Sequence, residues 1–257
     1  MREGPRETKQ RPSLQSQGER PPDEEGPARY RETDRPRGLI ATPAPHMAYE
    51  PIEYEPSSVQ LEGPARDLIE ASEAHFEAFY AKQLQKRYPR YIASDPAEVQ
   101  AALEWLEAEG LVLGDRFLEW GSGFGLATGL ASLAGYEACG IELREGLVAI
   151  ARELMTSQGI AADFLNTSYI PEGLIAFDSA DGEDLVHDDS FGRQMDGDFV
   201  YRANGMEIYP AEIDLFYVYP WPGEQSMMLK LFDAVASPDA LLLAYFGQRE
   251  LCLYRKL

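Results

Sequence analysis

The sequence lacks the features of a membrane-spanning, secreted or disulfide-stabilised protein. No apolar run reaches the roughly 20 residues that a membrane-spanning helix needs, and residues 1–26 contain no apolar segment of the kind found in secretion signals. Its two cysteines, Cys139 and Cys252, have neither metal-binding nor redox spacing. We interpret them as small buried side chains in a reducing compartment. These absences predict a cytoplasmic protein with no membrane segment.

Basic residues are also scarce. The chain has 23 Lys and Arg against 44 Asp and Glu, which gives a formal net charge of −21. Residues 1–45 are almost balanced, so the excess of acid lies in residues 46–257, which hold 14 basic and 36 acidic side chains. Such a surface repels polyphosphates, and no local basic stripe offsets it. The sequence therefore disfavours nucleic acid as a partner and favours a neutral or cationic substrate.

Composition divides the chain into three parts. Residues 1–45, rich in Pro, Gly, Arg, Glu and Gln, are predicted to form a disordered tail. Residues 46–95 are predicted to form an N-terminal helical extension, because apolar residues recur at helical spacing over 64–88. Residues 96–257 are predicted to form the main domain, with an insertion at about 171–211.

The main domain alternates apolar runs with helical segments. Helices are predicted to begin near Phe124 and Gly146, and a further short strand is predicted at the C-terminus. The other apolar runs are predicted to be strands: 116–120, 136–143, 161–166, 212–220 and 240–247. This alternation predicts an α/β fold with a doubly wound, mostly parallel, Rossmann-like sheet and helices on both faces. Ligands bind such sheets at the carboxyl ends of the strands, near the switch point.

A glycine-rich turn follows the first strand of the main domain. Residues 115–143 read DRFLEWGSGFGLATGLASLAGYEACGIEL, with glycines at every second position: Gly121, Gly123 and Gly125. The dinucleotide pattern G-x-G-x-x-G fails in both frames, since Leu126 or Thr128 stands at the third glycine position. The phosphate-binding P-loop pattern fails because no Lys-Ser/Thr pair follows. What remains is E-x-G-x-G-x-G, beginning at Glu119.

This pattern resembles the first motif of the class I S-adenosylmethionine-dependent methyltransferases. The resemblance covers roughly residues 96–247 and implies S-adenosylmethionine as the cofactor. It also implies that Glu119 helps to hold the methionine moiety, while Gly121, Gly123 and Gly125 let that moiety lie against the turn. The cofactor carries an ammonium and a sulfonium but no phosphate, so a carboxylate suits it better than a phosphate cradle.

The ribose and adenine positions are assigned on the next two strands. Glu142 ends the second strand 21 residues after Gly121, where a carboxylate can accept both ribose hydroxyls. The resemblance then implies that Leu143 lines the adenine pocket. After the third strand, Ser168 stands about where the family often has an acid near the adenine.

The loop after the fourth strand, YVYPWPG at 217–223, faces the transferring methyl group in the resembled family. It matches the Asp/Asn-Pro-Pro-Tyr motif of amino-methylating relatives only in part, because Tyr219 stands in place of the Asp or Asn and Trp221 in place of the second proline. The missing carbonyl disfavours amide or base N-methylation. Tyr219 and Trp221 are nevertheless the candidate catalytic residues, since their rings suit a cation or a planar group. The alternative is that they are packing anchors.

The insertion combines an acidic stretch around His187 with a predicted β-hairpin that turns at Asn204 and Gly205. It lacks the ordered spacing of a calcium loop, so a solvated acidic loop is favoured over a metal site, and we expect no metal. The hypothesis for this segment is a lid over the substrate. His187, Tyr219 and Asp214 are weak candidates for a general base.

Taken together, these patterns predict an S-adenosylmethionine-dependent methyltransferase acting on a small-molecule or protein acceptor. Two alternatives stay open. One is a non-catalytic S-adenosylmethionine-binding protein, either a sensor or a partner subunit. The other, a nicotinamide oxidoreductase, is disfavoured by the failed dinucleotide pattern.

Overall fold

The computed structural model describes residues 48–55, 59–89, 91–92, 94–174, 199–221, 223–246 and 251–257. The predicted disordered tail, His187 and most of the predicted insertion lie outside the described residues. The described residues all belong to one compact unit. None of their helices is long and apolar enough to cross a membrane.

The described residues form five α-helices and nine strands. The helices are α1 (Gly63–Ala81), α2 (Pro96–Glu109), α3 (Leu126–Leu133), α4 (Glu145–Gln158) and α5 (Gln225–Val235). The strands are β1 (Tyr49–Ile52), β2 (Arg116–Trp120), β3 (Glu137–Ile141), β4 (Asp163–Leu165), β5 (Tyr201–Ala203), β6 (Met206–Ile208), β7 (Leu215–Val218), β8 (Leu241–Tyr245) and β9 (Leu251–Lys256). Short 3-10 helices lie at Leu84–Lys86 and Pro210–Glu212.

Seven strands form one sheet in the order β1-β9-β8-β7-β2-β3-β4. The five strands from β8 to β4 are parallel, whereas β9 is antiparallel to both of its neighbours. Numbered along the chain, the parallel strands have the order 3-2-1-4-5 of a doubly wound sheet, and the order reverses between β2 and β7. The predicted Rossmann-like fold is confirmed.

Alternate residues of the parallel strands enter two separate cores, one on each face of the sheet. Phe117 packs with side chains of α1, α2, α3 and α4, whereas Leu118 packs with side chains of α5 and with Tyr201. Both faces are therefore covered by helices, as the near-continuous apolar strands predicted.

Two predictions for the N-terminal part are wrong in detail. The helix predicted over 64–88 ends at Ala81, because Gln83 adopts a left-handed conformation (φ 56°) and a short 3-10 helix follows. The N-terminal extension is also not purely helical, because it contains β1, which pairs antiparallel with β9. The sequence analysis missed β1 because Pro51 lies within it. Proline is tolerated there because β1 is an edge strand.

The predicted hairpin is confirmed as β5 and β6, with positive φ angles at Asn204 and Gly205. A buried hydrogen-bond chain joins it to the sheet. Trp120 Nε1 donates to the Tyr201 hydroxyl over 3.0 Å, and that hydroxyl donates to the Tyr169 carbonyl over 3.0 Å. The hydroxyl of Tyr201 thus satisfies two polar groups inside an apolar core.

We expect Tyr201→Phe to lower the free energy of unfolding by about 1–3 kcal/mol, because it leaves the Trp120 N–H and the Tyr169 carbonyl without this partner. Urea unfolding measures the change. Tyr209→Phe is the control, since the hydroxyl of Tyr209 bonds to Glu207 at an exposed site. Equal losses in the two variants would contradict the structural role given to Tyr201.

Candidate functional site

The glycine turn lies at the carboxyl end of β2, where the order of the sheet reverses. The N–H groups of Gly121 and Ser122 both donate to the carbonyl of Ile141, over 2.8 and 2.9 Å. The turn is therefore fixed to the end of β3. This arrangement brings the ends of β2 and β3 together, at the position where doubly wound sheets bind ligands.

The three glycines of the turn all have positive φ angles, but their surroundings differ. A Cβ atom on Gly121 would meet no atom of the described residues within 4 Å. One on Gly123 would lie 2.5 Å from the Tyr91 ring, and one on Gly125 would lie 2.4 Å from the Phe164 ring. The protein's own side chains thus occupy the space beside two of the glycines. Only Gly121 leaves open space at this position.

Glu119, the predicted methionine ligand, is buried and only 5% exposed. Its Oε2 atom accepts hydrogen bonds from the Thr128 backbone N–H (2.9 Å) and from the Thr128 hydroxyl (2.5 Å). The carboxylate thereby supplies an acceptor to an N–H in the first turn of α3. Glu119 therefore has a structural role beside any contact with a ligand.

Burial raises the pKa of Glu119 to about 7. The two hydrogen bonds from Thr128 oppose this rise, and the negative charge of Glu142 adds to it. A carboxyl group with such a pKa exists in both protonation states near neutral pH. A positive charge placed beside it would favour the ionised form.

Glu142 follows β3 and is half-buried. Its Oε2 accepts the Gly123 N–H over 3.1 Å, and its Oε1 accepts the Arg144 N–H over 2.8 Å. Burial raises the pKa of Glu142, while these backbone donors and the charge of Arg144 lower it. The structure therefore connects the glycine turn directly to the acid that follows β3, through the hydrogen bond from the Gly123 N–H to Glu142.

The residues predicted to contact adenine lie at the ends of β3 and β4. Leu143 is 53% exposed, so an apolar surface is open beside Glu142. Asn166 Nδ2 donates to the carbonyls of Glu142 and Leu143, both over 3.0 Å, which fixes these strand ends to each other. The Ser168 hydroxyl accepts the Ile170 N–H over 3.1 Å and so stabilises its own turn. The ligand contacts of Leu143 and Ser168 stay predictions.

The two candidate catalytic aromatics are half-buried in the loop after β7. Tyr219 packs edge-on against Tyr245, with ring centroids 4.7 Å apart. The N–H of Trp221 donates to the buried carboxylate of Glu224 over 3.3 Å. Packing thus accounts for part of what these residues do, and their catalytic role stays a prediction.

One candidate general base is wrong. Asp214 precedes β7, and its Oδ2 accepts the Arg116 N–H over 3.0 Å at the start of β2. It therefore lies at the amino ends of the parallel strands, whereas the glycine turn lies at their carboxyl ends. His187 lies outside the described residues. Within the described part, no group of three or more His, Cys, Asp or Glu side chains could hold a metal ion.

The sequence analysis missed two residues beside the site. Glu224 holds the loop after β7 through the Trp221 N–H, and its place just before α5 was an available signal. Tyr91 covers Gly123 from the segment between α1 and α2. No local pattern marks Tyr91, because the contact joins residues 32 positions apart.

No protein-family model matches this chain, and no curated protein matches it. Similar folds occur among solved structures. One is an RNA methyltransferase from Salinibacter ruber in complex with S-adenosyl-L-homocysteine, with 17% identity over 64% of this chain and 92% of that one, and a TM-score of 0.40.

Two further similar structures are S-adenosylmethionine-dependent methyltransferases. The one from Clostridium acetobutylicum has 13% identity over 67% of this chain and 56% of its own, with a TM-score of 0.38. The one from Thiobacillus denitrificans, in complex with S-adenosyl-L-homocysteine, has 15% identity over 58% of this chain and 48% of its own, with a TM-score of 0.35. At these identities and scores the likeness is one of fold, which the strand order of the sheet establishes independently.

The raised pKa of Glu119 predicts a pH-dependent stability. The protonated carboxyl is favoured in the fold, so its contribution is fully present below the ordinary pKa of 4.5 and is lost as the pH rises through about 7. Between these limits we expect wild type to lose about 3 kcal/mol of unfolding free energy relative to Glu119→Gln, which cannot ionise. Urea unfolding across this pH range measures the difference.

The control for that measurement is Glu137→Gln, which removes an exposed carboxylate at the start of β3, at the end of that strand away from the glycine turn. This control shows how much of the change in unfolding free energy comes simply from removing one negative charge from an acidic protein. Parallel pH curves for wild type and Glu119→Gln would contradict the raised pKa.

Proposed function

We propose that this chain is an S-adenosylmethionine-dependent methyltransferase whose cofactor lies across the carboxyl ends of β2 and β3. The observation that carries the proposal is the pairing of Glu119 and Glu142 on either side of the glycine turn, with Gly123 bonded to Glu142. Single acids at strand ends are common, but two that flank one glycine turn at the sheet's switch point are a specific arrangement.

The chemistry of the cofactor suits these residues. The two oxygens of the Glu142 carboxylate accept the Gly123 and Arg144 N–H groups, and a carboxylate has further acceptor capacity that suits a ribose hydroxyl. The open space at Gly121 lets a ligand approach the backbone, and the exposed Leu143 offers an apolar surface for the adenine. A phosphate-containing cofactor would instead meet two carboxylates, which disfavours a nicotinamide dinucleotide.

When bound, S-adenosylmethionine supplies a methyl group that its sulfonium already activates. The chain's task is then to hold the acceptor in line with the methyl carbon and to exclude water. Tyr219 and Trp221 belong to the loop after β7, the strand adjacent to β2 in the sheet. We assign this loop to acceptor binding, with its rings placed against a cationic or planar group.

The proposed acceptor is a small molecule or a protein. The support is electrostatic, since the net charge of −21 opposes the approach of a polyanion. RNA nevertheless belongs in any acceptor screen, because two similar structures are RNA-modifying enzymes: the RNA methyltransferase from Salinibacter ruber and a tRNA methyltransferase from Aquifex aeolicus. Transfer of labelled methyl to RNA, and not to protein or small molecules, would overturn this assignment.

A second candidate function is binding without catalysis, as in a sensor or partner subunit. The edge-on packing of Tyr219 against Tyr245 favours it, because a ring used for packing is less free to contact an acceptor. Saturable binding of S-adenosylmethionine, with no methyl transfer to any acceptor class, would support this alternative.

We expect wild type to bind S-adenosylmethionine and S-adenosylhomocysteine with micromolar dissociation constants. Glu142→Ala should weaken both by a factor of about ten or more, or about 1.4 kcal/mol, because the ribose hydroxyls lose their acceptor. Calorimetric titration measures both ligands. Glu145→Ala is the matched control, since it removes an exposed carboxylate three residues further along the chain.

Urea unfolding of Glu142→Ala is measured alongside, because the same carboxylate also accepts the Gly123 and Arg144 N–H groups. Wild type that binds neither ligand would overturn the proposed function. Nucleotides and nicotinamide cofactors would then be the next ligands to titrate.

A further inference from the structure

An aromatic side chain from outside the predicted motif lies against the glycine turn. A Cβ atom on Gly123 would lie 2.5 Å from Tyr91 Cε2, 2.9 Å from Cδ2 and 3.7 Å from Cζ. The edge of the ring that leads to its hydroxyl is therefore the part in contact with the turn. Tyr91 thus forms a wall beside the proposed cofactor position.

The ring of Tyr91 is held in a packed aromatic cluster. It stacks on Phe124, with centroids 4.3 Å apart and an interplanar angle of 23°, and it meets Phe79 edge-on at 5.7 Å. Phe76 lies 6.1 Å away. Aromatic pairs of this kind stabilise the folded protein by more than their buried area alone would give. Moving the Tyr91 ring out of the cluster therefore costs free energy. The contacts favour a fixed wall over a gate.

The segment that carries Tyr91 is anchored on both sides. Tyr88 stacks on Phe79 of α1 at 5.9 Å, and the Tyr91 N–H donates to the Tyr88 carbonyl over 3.1 Å. On the other side, the Tyr217 hydroxyl of β7 donates to Ser94 Oγ over 2.8 Å. These contacts hold Tyr91 over the carboxyl ends of the central strands.

The hydroxyl of Tyr91 is a neutral donor close to two acids. Burial raises the pKa of Tyr91 above its ordinary value, and the charges of Glu119 and Glu142, together with the nearby Tyr80, raise it further. The hydroxyl therefore stays protonated near neutral pH. A phenol that keeps its proton can donate a hydrogen bond to an anionic group.

We propose that the Tyr91 hydroxyl donates a hydrogen bond to the carboxylate of the cofactor's methionine moiety. This inference rests on the proposed function. Glu119 suits the ammonium group of the cofactor, and Glu142 suits its ribose hydroxyls. The methionine moiety that carries the ammonium group also carries a carboxylate, and both acids repel that carboxylate. Tyr91 supplies a donor at that place without adding negative charge. It is a binding residue that positions the cofactor.

The test compares Tyr91→Phe with wild type on two ligands, S-adenosylhomocysteine and its decarboxylated analogue. The substitution keeps the ring on Phe124 and Gly123 and removes only the hydroxyl. We expect the dissociation constant of S-adenosylhomocysteine to rise about tenfold, as for a lost hydrogen bond to a charged group, and that of the analogue to stay unchanged. Calorimetric titration measures both.

Tyr136→Phe is the matched control, because it removes the hydroxyl of a half-buried tyrosine just before β3, at the end of that strand away from the glycine turn. Equal weakening of both ligands by Tyr91→Phe would overturn the proposal, since a purely structural role affects them alike. Unchanged or tighter binding of S-adenosylhomocysteine would overturn it too, the latter by showing that the hydroxyl obstructs the site. Wild type that binds neither ligand overturns the cofactor assignment itself, which separates that failure from a failure of Tyr91 alone.

Discussion

The hydrogen bond from the Gly123 N–H to the Glu142 carboxylate is the contact on which the site depends, because it joins the turn after β2 to the end of β3. Its geometry brings a second acid close to Glu119, and the charge of Glu142 raises the pKa of Glu119. Backbone and hydroxyl donors from Gly123, Arg144 and Thr128 offset part of this repulsion. A ligand that brings positive charge and hydroxyl donors would offset more of it, so the protein without a ligand is electrostatically suited to such a molecule.

The sequence could predict those parts of the fold that depend on local patterns. The apolar runs locate the parallel strands to within a few residues. The start of α2 is also marked locally, since Asp95 directly precedes Pro96 and its side chain accepts the Ala97 N–H over 3.0 Å. The edge strand β1 could not be found in this way. Its pairing joins Tyr49 to Lys256 across almost the whole described chain, and Pro51 is acceptable because β1 is an edge strand of the sheet that the described residues form.

Local sequence patterns also predict the candidate site only in part. Glycine spacing indicates where the backbone needs room, but it does not say what fills that room. At Gly123 and Gly125 the neighbours are the rings of Tyr91 and Phe164, and only Gly121 faces open space. A sequence pattern is identical in the two cases, because a ligand and a packed ring exclude a Cβ atom for the same steric reason. The acidic residues were more informative, since their positions at strand ends follow from the topology.

The aromatic cluster changes how the N-terminal part of the chain is understood. Phe76 and Phe79 of α1 pack with Phe124 of the glycine turn and with Tyr91, so α1 supports the turn directly. Three residues after Tyr91, Ser94 accepts a hydrogen bond from the hydroxyl of Tyr217, which is the neighbour of Glu119 in the sheet register. One segment therefore contacts both the glycine turn and β7. Residues that the sequence analysis assigns to the N-terminal extension therefore lie beside the candidate site and pack against both the turn and β7.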